Sequence, residues 1–80
     1  MSKKNTELAK KIVDQLGKVT KSEASDDYFV NFEAGVLPYE GLPYAATKKA
    51  AVSAGIERIA SDLDDGSLVL SDTWAEDNLQ

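Results

Sequence analysis

The chain has 80 residues, 42% of them hydrophobic and 29% charged, with a net charge of -5 and neither cysteine nor histidine. A chain this short makes one domain and buries only about 60% of the surface its unfolded state exposes, so its core is small. The missing residue types exclude a disulfide, a thiolate zinc site and a histidine-based triad, and leave carboxylates, Lys, Ser, Thr and Tyr as the groups from which catalysis would have to be built.

From Asn5 to Leu16 the pattern is that of an amphipathic helix, with Leu8, Ile12 and Leu16 in one column and Ala9 and Val13 beside it. Asn5 or Thr6 serves as N-cap, and Gly17 follows the C-terminus. Glu7 with Lys11 and Asp14 with Lys18 are i, i+4 pairs in the favoured direction, on a basic and solvated outer face.

Thr20 to Asp27 has no apolar residue larger than alanine and reads as a polar connection. Tyr28 to Ala34 then alternates, with Tyr28, Val30, Phe32 and Ala34 on one face, the period of a half-buried strand. Phe29 falls on the other face and must be covered by a helix or offered to a partner. Next come Leu37-Pro38-Tyr39 and Leu42-Pro43-Tyr44, a near repeat five residues apart. Each proline forces the leucine before it into extended backbone. A short strand over Val36 to Glu40 would be confined by Pro38 to a sheet edge. Tyr39 and Tyr44 on this stiffened loop cap the core or form a contact surface.

Pro43 to Leu63 is the longest helical pattern, opened by a proline at its first position and closed before Gly66. Val52, Ile56, Ile59 and Leu63 form its core-facing stripe. Ala46, Ala50 and Ala54 make one small-residue column, and Ala51 with Gly55 another, along which a neighbour can approach closely. Ser67 to Ser71 reads as a strand. Thr73-x-x-Glu76 has capping-box spacing and starts a turn that holds Trp74 partly buried against the sheet.

These elements describe an α/β (α+β) domain in the order α-β-(β)-α-β: a small two- or three-stranded sheet packed against a long helix in the C-terminal half, with an amphipathic N-terminal helix. It is one domain, 1–80, with 1–4 and 75–80 as flexible ends. The N-terminus lacks an apolar run of signal-peptide length, and no stretch approaches the roughly 20 apolar residues of a membrane span, so a cytoplasmic protein without membrane contact is expected.

The charge is unevenly spread. Residues 1–21 hold six lysines against two acids, a balance of +4, and residues 22–80 hold twelve acids against three bases, a balance of -9. Direct nucleic-acid binding is not expected of such a chain, because affinity for phosphate comes from clustered Lys and Arg. Thr47-Lys48-Lys49-Ala50-Ala51 is loosely similar to the last-helix phrase of double-stranded RNA-binding domains. That similarity covers about a dozen residues, and the motif's next basic position is Val52 here.

The densest acids are Asp62, Asp64 and Asp65, followed by Asp72, Glu76 and Asp77. Acids at a helix C-terminus oppose the macrodipole, each costing roughly 0.3–1 kcal/mol, so the first three mark a candidate contact surface. They do not make a calcium loop: with Gly66 at the sixth position, Leu63 would stand at the third, where it cannot ligate. No catalytic residue, metal site or cofactor motif is assigned. The expected function is a small acidic protein-binding module that inhibits or regulates a basic, nucleic-acid-handling partner, through Asp62, Asp64, Asp65, Asp72, Glu76, Asp77, Tyr39, Tyr44 and Phe29. In size and charge the chain resembles phage-encoded acidic inhibitors that mimic DNA, such as anti-restriction and anti-CRISPR proteins. The alternative is a self-association module, a homodimer formed through the small-residue columns of the long helix or the apolar stripe of the first.

Overall fold

A computed structural model describes residues 2–39 and 41–80. The elements are α1 (Lys3–Leu16), β1 (Lys18–Lys21), β2 (Tyr28–Asn31), α2 (Lys48–Asp65) and α3 (Trp74–Asn78). The two strands form one antiparallel sheet, and α1, α2 and the sheet pack together as a mixed α/β domain.

The first helix starts earlier than its apolar pattern. Ser2 is the N-cap, its hydroxyl accepting from the Asn5 N–H at 3.1 Å, and neither Asn5 nor Thr6 takes that place. A serine two residues from the start satisfies an orphan donor as well as Asn5 would, and the helix gains a turn. Ala9, Ile12 and Val13 are buried against α2.

Gly17 ends the helix with ordinary dihedrals, φ -78° and ψ 146°, so it is not there for a left-handed turn. Space is the reason: a Cβ at this position would lie 2.7 Å from the Val13 carbonyl oxygen and 2.8 Å from Val30 Cγ1. Gly17→Ala should therefore destabilise, although an alanine with room would stabilise by about 0.4–1 kcal/mol through the unfolded chain. A net loss of about 1 kcal/mol in urea unfolding is expected, because overpacking against main chain costs about 1–3 kcal/mol. A stabilised variant would contradict this packing.

The sheet differs from the one the alternation pointed to. Lys18–Lys21 is a strand, although the whole of Thr20 to Asp27 reads in the sequence as a polar connection and no strand is expected before Tyr28. Its pairing registers Val19 with Val30 and Thr20 with Phe29, and the Ser22 N–H donates to the Asp27 carbonyl at 2.7 Å to close the hairpin. Val19 is 38% exposed but pairs with the fully buried Val30, and Thr20 on the other face is half-buried with its hydroxyl bonded to Asn31 Oδ1 at 2.8 Å. Asp26 turns the loop at φ 57°, a left-handed conformation that Asp tolerates. Conversely β2 stops at Asn31, and the expected edge strand over Val36 to Glu40 is absent across its described residues: 34–38 form a turn, with Gly35 at φ 87°, and Glu40 lies outside the described residues. Ser67 to Ser71 is not a strand either. Leu68 is buried, but its N–H donates to the Asp62 carbonyl of the helix just ended, leaving the segment a loop with Val69 83% exposed.

The long helix begins at Lys48, not Pro43. Ala45 exchanges both backbone hydrogen bonds with Tyr28, at 2.7 and 2.8 Å, which holds the chain extended up to that point. Thr47 then caps the helix, its hydroxyl accepting from the Ala50 N–H at 3.1 Å. Gly66 closes it in the left-handed region at φ 84°. The buried row is Ala51, Gly55, Ile59 and Ala60, while Val52, Ile56 and Leu63 are half-buried. The helix is thus rotated toward its small residues, because Gly55 lets Leu42 and Val30 reach its backbone: a Cβ there would sit 3.2 Å from Leu42 Cδ1.

Of the end segments, residues 3–4 belong to α1 and residues 75–78 to α3. Gln80 exchanges two hydrogen bonds with the Gln15 side chain. No helix among the described residues is long and apolar enough to cross a membrane.

Candidate functional site

The acids at the end of α2 are positioned by its packing on α1. Asp64 lies beside the first turn of α1, so the end of one helix meets the start of the other. A carboxylate badly placed for its own helix dipole is well placed for its neighbour's. Asp64 accepts from the Ser2 N–H at 3.0 Å and from the Asn5 side-chain amide. Those donors, Asn5 first, hold its carboxyl below the usual carboxylate range.

Asp62 and Asp65 are also engaged from within. Asp62 accepts from the Tyr39 hydroxyl at 2.7 Å and from Arg58 Nε at 3.0 Å. Its side chain is only 13% exposed. Asp65 accepts from the Ser67 N–H at 2.8 Å, an Asx turn across Gly66 that lowers its pKa. Burial, then the Asp62 hydrogen bond and charge, hold the Tyr39 phenol well above the ordinary tyrosine range, with Arg58 opposing. All three aspartates that looked misplaced on α2 have a donor from this chain.

Asp72, Glu76 and Asp77 differ. All are exposed, and no hydrogen bond or ion pair joins their side chains to another described residue. Glu76 and Asp77 stand in the first turn of α3, where negative charge is favourable, although the Thr73 side chain makes no capping bond there. Asp72 shares a groove with Lys4, Asn5, Leu8, Leu63 and Trp74. Since Asn5 holds Asp64, the groove brings Asp72 to the same end of the molecule. Trp74 is half-buried as expected, packed on the core cluster and lining a groove with residues of α1 and with Leu63 of α2.

Of the aromatic candidates, Tyr39 bonds to one of the acids, Asp62, whereas Phe29 and Tyr44 stack on each other. Phe29, on the outer face of the sheet, is covered by Tyr44 and not by a helix, with ring centroids 4.9 Å apart and planes 13° from parallel. Tyr44 keeps 56% of its surface exposed, whereas Tyr39 is committed to Asp62 and the core. Lys48 and Lys49 open α2, and Lys48 Nζ stands 5.9 Å from the centre of the Tyr28 ring. The small-residue columns are divided. Ala51 and Gly55 are buried, Ala50 is exposed, Ala54 is half-buried, and Ala46 precedes the helix.

Among the described residues no group of acids is arranged to hold a metal ion. Compared with protein-family models, curated proteins and solved structures, the chain matches none. What bears on function is the division of these six acids into three with internal donors and three with none among the described residues.

Proposed function

We propose that this chain is a non-catalytic protein-binding module that presents its acidic end to a basic, nucleic-acid-handling partner and so inhibits or regulates it. Asp72, Glu76 and Asp77 carry the reading: three exposed carboxylates with no donor among the described residues. Residues 57–80 add to the field, with seven acids against Arg58 alone. Asp64 and Asp65 contribute charge from their fixed positions. Clustered negative charge of this kind raises encounter rates with a basic surface and loses effect beyond the screening length, about 10 Å at 0.1 M salt. The compositional likeness to DNA-mimicking inhibitors agrees with a partner that ordinarily handles nucleic acid.

Neutralising Asp62 or Asp64 confounds binding with folding, so the test uses the other set. Tagged protein carrying Asp72→Asn, Glu76→Gln and Asp77→Asn is compared with the unaltered chain in quantitative pull-downs over a salt series. Basic partners captured at low salt by the unaltered chain should fall about tenfold with the variant, a loss of roughly 1.4 kcal/mol. Capture that is equal for both proteins, or that survives high salt, would overturn the reading.

A further inference from the structure

We propose that the open edge of β1, with the groove beside it, accepts an extended acidic segment of a partner protein as a third strand. The surface is distinct from the acidic end and of opposite charge.

The hairpin register decides which backbone groups face outward. Since Ser22 and Asp27 form a hydrogen-bonded pair, Thr20 with Phe29 and Lys18 with Asn31 do so as well, two residues at a time. Val19 and Lys21 therefore direct their N–H and C=O groups away from β2. The same alternation turns Tyr28 outward at the other edge, where Ala45 meets both its groups. On the β2 edge Ala45 thus meets both groups of Tyr28, whereas the β1 edge presents two donor and acceptor pairs to which no described residue bonds.

Val19 also lines a groove of about 480 Å³ between α1 and α2, with Val13, Val52 and Ile56 as its apolar surface. Lys10 and Lys11 stand on its wall, opposed by Asp14 as the acid of the lining. Lys18, exposed, begins the strand itself. A strand added here would send alternate side chains into the groove and the others past Lys18, with main-chain bonds supplying affinity and the alternation supplying specificity.

Charge decides the occupant. Two copies joined through β1 would bring lysines together in strands that read Lys-Val-Thr-Lys, and like charges opposite one another destabilise a pair. Edge lysines are a device against self-pairing. An acidic segment meets the +4 balance of residues 1–21 without that repulsion.

The test titrates the protein with a blocked peptide alternating glutamate and valine, and with its lysine and valine counterpart, following backbone amides by NMR. The glutamate peptide should slow hydrogen exchange at Val19 and Lys21 and bind at least about tenfold tighter at low salt. Lys10→Glu, Lys11→Glu and Lys18→Glu together, all at exposed positions, should reverse the preference. Equal affinities, no binding of either peptide, or unchanged exchange at those two amides would overturn the proposal. So would protection of the same amides that rises with protein concentration alone, since a second copy would then occupy the edge.

Discussion

Ile59→Ala is expected to remove about 3 kcal/mol of stability, an effect as large as truncation of the equally buried Ile12 would have. Ile59 has no exposed surface and belongs to the central cluster with Ala9, Ile12, Val30 and Leu42. Losing the γ- and δ-carbons of a fully buried isoleucine costs the transfer of those atoms plus the cavity left, typically 2–5 kcal/mol. A domain of this size holds roughly 4–12 kcal/mol in all, and at about 4–8 °C per kcal/mol the melting temperature should fall by some 12–24 °C. Val52→Ala, on the same sequence stripe but half-buried in an open groove, should cost about 1 kcal/mol. Equal losses at the two positions would mean that α2 presents its whole aliphatic stripe to the core.

Asp62→Ala is expected to cost about 2 kcal/mol, and its effect should depend on pH. The carboxylate is largely shielded and accepts from both Tyr39 and Arg58, and hydrogen bonds to a charged group contribute about 1.5–3 kcal/mol. Arg58 is itself more than half exposed, so most of the loss falls on the phenol. The phenol's pKa is raised in the folded protein. Tyr39 therefore contributes stability that is complete below the unfolded tyrosine value of about 10 and is lost as pH rises beyond it. Asp62 supplies part of that shift. Above pH about 10 the unaltered protein should lose stability faster than Asp62→Ala, and the gap between them should narrow. At the acid end the lowered pKa values of Asp64 and Asp65 work the other way. Their contribution is present above about pH 4 and lost as pH falls through the folded values. A gap that is constant from pH 7 to 11 would contradict the Tyr39 contact.

The helices and β2 were legible in the sequence because periodicity and end signals coincide there. Ile12 and Val13 declare a helix face, and Gly17 and Gly66 mark where two helices stop. The alternation from Tyr28 names β2, though not its early end. Errors gathered where a distant partner outweighs a local signal. Pro43 is a good first helical residue, yet Ala45 pairs with Tyr28 and delays the helix to Lys48. Val19 is one apolar residue among polar neighbours, and only its pairing with Val30 makes a strand of it. The apolar run after Gly66 reads as a strand but finds no strand to pair with.

The candidate site divides along the same line. Asp65-Gly66-Ser67 is an Asx-turn signature visible in the sequence, and Arg58 with Asp62 is an i, i+4 pair. The bond from Ser2 to Asp64 spans 62 residues and had no local signal. What looked like acids placed against their own helix dipole is, for Asp64, an acid placed at the dipole of another helix.

The division of the acids is tested most directly by urea unfolding of two variants side by side at neutral pH. Asp62→Ala should lower the unfolding free energy by about 2 kcal/mol, whereas Asp72→Asn, Glu76→Gln and Asp77→Asn combined should change it by less than about 1 kcal/mol. If the triple variant unfolds as easily as Asp62→Ala, or if Asp62→Ala is as stable as the unaltered chain, then the acids are not divided between holding the fold and facing a partner.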